Sequence, residues 1–441
     1  MKRIPVRSFR SRDWDVSASY RKREVRILNQ TASIISTYTA DVSGVASALY
    51  ELGGMTVIHD ASGCNSTYNT HDEPRWYDMD SAVFISALTE INAVMGNDRK
   101  LVDDIVRAAK ELHPKFIALC GTPIPMMVGF DFEAVASLVE NETGIPSFGI
   151  PTNGMHTYVS GAGQAFACLA KRMVKNLKKE KIRGEIRINI LGETPLDFSV
   201  TGMADSLMSA VEAAGFPVLS DWAMNGHYGE KRTEGWQCAC PGKANLAAIE
   251  RAALADVNLV VSSAGLPAAK ILKERFGTPY VTGIPIGKKG MEKLAEKIRA
   301  AAAGTSDETE NIKNEEEKSG DRNKIFCIYE PVIGQSIAEA IWEKEGKQVQ
   351  VLCPVPAEDY GETEETDPFL RDGIIHAEDE DELTPYLKNA GIVIADPMYR
   401  PICPADAGFI SLPHEAFSGR IYRRDIPDLV MGIPGKWKLR L

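Results

Sequence analysis

The stretch MTVIHDASGC, residues 55–64, decides the fold class of this chain, and KFIALCGTP, residues 115–123, repeats its pattern. In both stretches a short apolar run leads to a cysteine beside a glycine, Cys64 in the first and Cys120 in the second. Continuous apolar runs of this length are typical of strands buried on both faces of a parallel sheet. Helical patterns alternate with these runs, so the sequence predicts an α/β fold in which both cysteines lie at the carboxyl edge of one sheet.

Two thiols at one sheet edge are candidate ligands for iron, because thiolates are the soft donors that hold iron–sulfur clusters. A cysteine at the end of a strand can equally be a small core residue. The spacing of Cys64 and Cys120 leaves both interpretations open.

Composition restricts the class of protein. The chain has 441 residues, 44% of them hydrophobic and 25% charged, which is typical of a globular protein of about three domains. Its net charge of −11 argues against general nucleic-acid binding, and no apolar run reaches the roughly 18 residues that a membrane span needs. Eight scattered cysteines and no apolar signal core favour a reducing, cytoplasmic location.

Strand–helix alternation predicts three doubly wound, Rossmann-like modules with parallel sheets. We expect the first in residues 1–184, including a basic amino-terminal arm, the second in residues 185–302 and the third in residues 324–441. Residues 303–323 are polar and charged with almost no apolar side chains, which predicts a solvated linker.

Several nucleotide and metal motifs are absent. The chain has no Gly-x-x-x-x-Gly-Lys-Ser/Thr sequence to hold a triphosphate, and the turn after Leu191 is not a dinucleotide fingerprint. Cys238 and Cys240 lack the second pair that zinc normally needs, so we interpret them either as reactive or partner-facing thiols or as part of a structural turn. His59 ends a strand near Cys64, and we interpret it as a half-buried structural histidine.

A set of motifs in one order resembles the catalytic component (component 1) of nitrogenase and its relatives, which include cofactor scaffolds and dark-operating protochlorophyllide reductases. The motifs are Gly63-Cys64, the segment SALTEINAVMGNDRKL at residues 86–101, LCGTP at 119–123, VNLVVS at 257–262, RFGTPY at 275–280, PIG at 285–287 and HEAFSG at 414–419. The resemblance spans nearly the whole chain and implies the three-module fold of that family.

The resemblance implies that Cys64 and Cys120 ligate a 4Fe–4S cluster. Family subunits bring three cysteines each to an interface cluster, but the upstream position falls near Tyr38, where no cysteine occurs. Two chains around a two-fold axis would still supply four thiols, enough for one cubane cluster. Asp41 or Ser43 could instead supply an oxygen ligand.

The resemblance also implies a pocket where the three modules meet. The family anchors its catalytic cofactor on a cysteine that corresponds here to Ser262 or Ser263, and His414 falls close to the cofactor histidine. Independently of the resemblance, the loops at the carboxyl ends of the strands of all three modules should converge on one cavity, because the switch points of doubly wound sheets leave crevices there. Serines favour a polar organic ligand over direct iron ligation, since thiolate is the softer donor. The predicted wall of this cavity consists of Ser262, Ser263, Gly265, His414, Glu193 and Thr194. The alternative for the two serines is that they end a strand and cap the next helix.

We predict a nitrogenase-like oxidoreductase subunit that accepts electrons from a separate ATP-dependent iron–sulfur reductase and reduces a small-molecule substrate between its modules. We expect a homodimer or a heterotetramer with a paralogous subunit, and no nucleic-acid or membrane partner. The alternative is a non-catalytic scaffold for metallocluster or cofactor assembly. A third interpretation is a binding module that has lost its redox chemistry.

Overall fold

The structure is a computed structural model that describes residues 33–34, 39–61, 63, 73–76, 82–96, 98–179, 184–222, 224, 245–305, 324–363, 366, 369, 373–437 and 439. These residues form an α/β fold with three sheets, and every strand pair within the sheets is parallel. The predicted fold class is confirmed. The described residues from Ile34 onward form one compact unit.

The first sheet has the strand order β2-β1-β3-β4. Its strands are β1 (Met55–His59), β2 (Val83–Ile85), β3 (Ile117–Gly121) and β4 (Ser147–Ile150). Its helices are α1 (Asp41–Leu49), α2 (Glu90–Met95), α3 (Asp98–Leu112), α4 (Pro123–Met127), α5 (Phe132–Thr143) and α6 (Tyr158–Arg172). Every residue of β1 and β3 is buried, as expected for central parallel strands.

The second sheet has the order β6-β5-β7-β8. Its strands are β5 (Ile188–Leu191), β6 (Val218–Asp221), β7 (Val257–Val260) and β8 (Tyr280–Thr282). Its helices are α7 (Pro195–Phe198), α8 (Met203–Ala213), α9 (Leu246–Glu250), α10 (Leu266–Phe276) and α11 (Gly287–Ala303), with 3₁₀ turns at Ala252–Leu254 and Ser263–Gly265.

The third sheet has the order β11-β10-β9-β12-β13. Its strands are β9 (Lys324–Ile328), β10 (Val349–Cys353), β11 (Ile375–His376), β12 (Ala390–Ala395) and β13 (Gly408–Ser411). Its helices are α12 (Pro331–Glu345), α13 (Glu380–Leu387) and α14 (Glu415–Ser418), with 3₁₀ helices at Ala357–Tyr360, Pro397–Ile402 and Gly419–Asp425.

Helix α6 joins the parts of the fold. It packs against α1, against α10 beside the second sheet and against the 3₁₀ helix Ala357–Tyr360 of the third. Gly44 of α1 and Gly161 of α6 allow this closeness, because a Cβ atom at either position would overlap the backbone of the facing helix. One continuous hydrophobic core therefore includes residues from all three sheets.

The predicted elements differ from the structure in a few places. The helical pattern of residues 92–112 predicts one helix, but the structure has two, because Gly96 adopts a left-handed conformation (φ 69°) that ends α2. Strands β6, β11 and β13 were not predicted from the sequence, because each has at most four residues and none is a continuous apolar run. The domain boundaries remain a prediction, and most of the linker, residues 306–323, lies outside the described residues.

Polar residues follow the strands at the centre of each sheet. Asp60 and Thr122 follow β1 and β3, the pair Glu193–Thr194 and Ser262 follow β5 and β7, and Glu330 and Asp396 follow β9 and β12. These strands flank the positions where the chain direction across each sheet reverses, which is where open α/β sheets form their binding crevices.

Candidate functional site at the junction of the three sheets

The predicted pocket residues of the second sheet lie in two loops, after β5 and after β7, that are in close contact. The hydroxyl of Ser262 donates to the carbonyl oxygen of Gly192 at 2.7 Å. Gly192 has φ 90°, and a Cβ there would lie 2.8 Å from the backbone nitrogen of Gly265. A Cβ on Gly265 would lie 2.6 Å from the carbonyl oxygen of Leu191. Both positions require glycine because the loops after β5 and β7 touch through their backbones.

Asp197, at the start of the second sheet's helical layer, connects these loops to the other sheets. It accepts from the hydroxyl of Thr194 (3.0 Å, to Oδ2) and from that of Tyr158 on α6 (2.5 Å, to Oδ1). The Nε2 atom of His414, which follows β13, lies 3.3 Å from Oδ1. A single buried carboxylate thus contacts side chains from the first, second and third sheets.

Both ring nitrogens of His414 are engaged. The backbone N–H of Ala416 donates to Nδ1 at 3.0 Å, so the proton of a neutral ring is on Nε2 and is donated to Asp197. The ring also packs against Phe417 and Tyr329, with centroids 4.5 and 5.0 Å away. In this geometry His414 has no lone pair left for a metal ion, and it joins two sheets.

Glu330 completes the junction on the third sheet. Its carboxylate accepts the backbone N–H groups of Ser263 (3.0 Å) and Ile333 (2.5 Å), so it caps α12 and holds the loop after β7. Burial and, to a smaller extent, the nearby Asp197 carboxylate raise its pKa to about 8, although the N–H donors lower it. Burial also raises the pKa of Tyr158 and of Tyr329.

Glu193 occupies a separate buried position. Burial raises its pKa well above the usual range, and the neighbouring Asp221 and the more distant Glu51 raise it further. Of the six predicted pocket residues, Thr194 and His414 meet at Asp197, Ser263 joins them through Glu330, and Ser262 and Gly265 form the adjoining turn.

The predicted residues therefore converge, but they form a closed network instead of an open pocket. Each of the ionisable and hydroxyl-bearing members is at most 2% exposed to solvent. The side chains of Tyr158 and His414 bond to Asp197, and Glu330 beside them accepts the backbone N–H groups of Ser263 and Ile333. Three of these four side chains, those of Asp197, Glu330 and Tyr158, were not identified from the sequence. Their only sequence signal is a polar residue in or just after an apolar segment.

The structure places Cys120 inside the protein. It is the fourth residue of β3, 0% exposed, on the sheet face that packs against α1 and α6. Burial raises the pKa of its thiol, with a further contribution from Asp41. This burial disfavours a cluster shared between two chains, and the ligand role of Cys120 remains a prediction. Cys64 lies outside the described residues, so its role remains a prediction.

Other polar side chains near the carboxyl edge of the first sheet are hydrogen-bonded within the chain. Asp41 accepts the backbone N–H groups of Asn153 and Gly154 (2.9 Å each), which holds the turn after β4. Thr122 donates its hydroxyl to Asp60. His59 is buried, contacts Ser86 at 2.9 Å and has its pKa lowered to about 4 by burial, in agreement with its interpretation as a structural histidine.

Two features are absent from the part of the chain that the structure describes. It contains no group of three or more histidine, cysteine, aspartate or glutamate side chains arranged to hold a metal ion. None of its helices is both long and apolar enough to cross a membrane. Cys238 and Cys240 lie outside these residues.

Curated relatives resemble part of this chain. The nitrogenase iron-molybdenum cofactor biosynthesis protein NifE of Clostridium pasteurianum is 27% identical over 254 residues, 55% of this chain and 50% of that protein. The nitrogenase molybdenum-iron protein alpha chain of Methanosarcina barkeri is 25% identical over 214 residues, 48% of this chain and 36% of that protein. The matched region thus spans about half, or less, of these relatives.

A solved structure, nitrogenase Cp1 at pH 6.5, has the same fold, with a TM-score of 0.63 at 17% identity over 90% of both chains. The family described as nitrogenase component 1 type oxidoreductase matches residues 43–323, well over half of the sequence. The resemblance predicted from the sequence motifs is confirmed, and this chain belongs to the nitrogenase component 1 family.

Proposed function

We propose that this chain is the scaffold subunit of a component 1-type complex and carries a metallocofactor or its precursor as cargo. The observation that carries the proposal is the closed junction, where His414 has both ring nitrogens engaged and Asp197 contacts side chains from three sheets. A reductase that turns over substrate at this place benefits from a preformed site. A scaffold needs to release what it holds.

A self-bonded junction favours release. To admit a ligand, the contacts of Asp197 with Tyr158 and His414 must open, and the free energy of opening is subtracted from the binding energy. The apparent affinity falls by the fraction of molecules that are open. A junction whose side chains are bonded to one another therefore retains cargo less tightly than a preformed binding site does.

The names of similar proteins also favour a scaffold function. Of the similar proteins, NifE of Clostridium pasteurianum is named for iron-molybdenum cofactor biosynthesis. NifE proteins of Methanosarcina barkeri and Klebsiella pneumoniae, at 24% and 23% identity, are named for the same process. We transfer this role, cofactor assembly, to the present chain as a proposal.

We propose that a second component 1-type chain, identical or paralogous, binds the carboxyl edge of the first sheet. Large apolar side chains are exposed in the segments that follow β2, β3 and β4. We call them the methionine surface: Ile91 (73% exposed), Val94 (79%), Met95 (76%), Met127 (85%) and Met155 (78%). Helix α2 has no buried residue, so a six-residue helix presents three of these side chains to solvent. Apolar surface of this kind marks a protein interface, and flexible methionines adapt to a partner.

A second candidate is the reductase predicted from the sequence, and the titratable groups of the junction favour it. Glu330, with its pKa raised to about 8, lies with Tyr158 and Asp197 in one buried network, and perturbed groups of this kind cluster at catalytic sites. Electrons would come from a separate ATP-dependent iron–sulfur reductase, because the sequence has no phosphate-binding loop of its own.

Electron flux distinguishes the two candidates. The anaerobically purified complex would be mixed with its component 2-like reductase, MgATP and dithionite, and dithionite oxidation measured against the reductase alone. The scaffold predicts no sustained oxidation above that background. Sustained oxidation that is lost in the Asp197→Asn variant, while iron content is unchanged, would establish the reductase and contradict the scaffold.

A further inference from the structure

A groove of about 1100 Å³ lies beside the last strand of the third sheet, away from the junction. All four residues of β13 line it, together with Arg400 and Pro401 of the 3₁₀ helix Pro397–Ile402 and Lys436 and Trp437 near the carboxyl terminus. We call this the β13 groove. None of the junction residues lines it.

The groove runs along an open sheet edge. β13 pairs with β12 on one side, in the register Ile392 to Gly408 through Ala395 to Ser411. No described residue bonds to its other side. An open edge presents backbone N–H and C=O groups that can pair with an added strand. Gly408 and Ser411 are exposed, so the edge is sterically accessible at both ends.

The walls carry positive charge. The Arg400 guanidinium lies 5.3 Å over the ring of Phe409 and donates to the carbonyl oxygen of Ala407 at 3.3 Å, which fixes it beside the strand. Lys436 is exposed and also lines the groove, and Asp425 is the one acidic residue among those lining it. In a chain of net charge −11, a groove with two cations and one anion selects an acidic ligand.

Trp437 provides an independent indication of a missing partner. Its side chain is 7% exposed, and its indole N–H has no acceptor among the described residues. A buried tryptophan N–H normally has an acceptor, since leaving one without costs about 1–3 kcal/mol. Because Trp437 lines the groove, a turn of its ring toward a ligand carbonyl or carboxylate would supply the acceptor.

We propose that the β13 groove binds an extended, acidic peptide segment of a partner protein, which adds to β13 as a further strand. Main-chain bonds to β13 give affinity, and contacts of acidic side chains with Arg400 and Lys436 give specificity. The four residues of β13 span about 13 Å, enough to pair with a segment of similar length.

The test uses the full-length protein and a fluorescein-labelled peptide of alternating glutamate and valine, followed by fluorescence polarisation. We expect saturable binding that weakens about tenfold or more in Lys436→Glu and in Arg400→Glu, because each replaces an attraction with a repulsion. The control, Lys388→Glu, reverses an exposed charge that does not line the groove and should leave binding unchanged. Trp437→Phe should weaken binding while keeping the aromatic ring.

Two further peptides distinguish strand addition from other modes of peptide binding. The same peptide with alternate backbone nitrogens methylated should bind at least about tenfold more weakly, since it cannot complete the strand hydrogen bonds. Equal binding of this peptide, or of one with lysine in place of glutamate, would overturn the proposal. Wild-type self-association that Lys436→Glu abolishes would assign the groove to a second copy and also overturn it. The outcome is independent of the scaffold assay, which does not involve these residues.

Discussion

The Nε2 atom of His414 lies 3.3 Å from Oδ1 of Asp197, although the two residues are 217 positions apart in the chain. The contact joins the loop after β13 to the first helix of the second sheet. With the hydroxyl of Tyr158 on the same oxygen, it closes the junction on itself. A position that the sequence resemblance associates with cofactor binding here holds the sheets together.

Asp197 should be a major source of stability. We expect Asp197→Asn to lower the free energy of unfolding by about 1–3 kcal/mol, because a neutral amide accepts weaker bonds from Tyr158 and His414 and its NH₂ group faces their donors. Urea denaturation measures the change. Asp406→Asn is the matched control, since Asp406 is exposed and should stay within about 0.5 kcal/mol. Equal effects of the two variants would contradict the role of Asp197.

Glu330 should make stability depend on pH. Its pKa is 4.5 in the unfolded chain and about 8 in the folded protein, so the folded state binds the proton more tightly. Its stabilising contribution is fully present below pH 4.5 and is lost as the pH rises through about 8. We expect Glu330→Gln to flatten this part of the profile of unfolding free energy against pH. A variant profile parallel to that of the wild type would show that Glu330 does not titrate in this range.

Iron content tests the two cysteines separately. Because the Cys120 thiol is buried in the core, we expect Cys120→Ser to retain the iron of the anaerobically purified complex. We expect Cys64→Ser to lose it, as the sequence motif predicts. Iron and sulfide analysis gives the result, with Cys403→Ser as a control for the loss of a thiol. Loss of iron in both the Cys64 and Cys120 variants would restore the shared-cluster assignment and show that β3 rearranges to expose Cys120.

The methionine surface should control assembly. Met95→Glu and Met127→Glu place charges in an apolar interface, so we expect a shift from dimer or tetramer toward monomer, measured by analytical ultracentrifugation. Met431→Glu is the control, because Met431 is also 78% exposed but lies outside this surface. Unchanged assembly in both surface variants would exclude this edge as the interface.

The sequence was sufficient to predict most strands of the sheets but not the contacts between the sheets. Strands such as β3 could be predicted because parallel strands buried on both faces are continuous apolar runs. Thr194 could be placed near the junction because polar residues that follow such strands gather at one edge. His414 could be placed there only from the family resemblance, since β13 was not predicted. Asp197 could not be identified, since its role depends on Tyr158 and His414, 39 and 217 positions away. The interior orientation of Cys120 depends on strand register, which a strand–cysteine motif does not specify.

The most direct test of the scaffold proposal is the transfer of cargo. The complex would be loaded with isotopically labelled iron in cells, purified anaerobically and mixed with an unlabelled, metal-free component 1-type acceptor from the same organism. The iron in each protein would be measured after separation. The account predicts that the label moves to the acceptor once, in proportion to the complex supplied and without sustained dithionite oxidation. Label that stays with this chain while dithionite is oxidised continuously would contradict it.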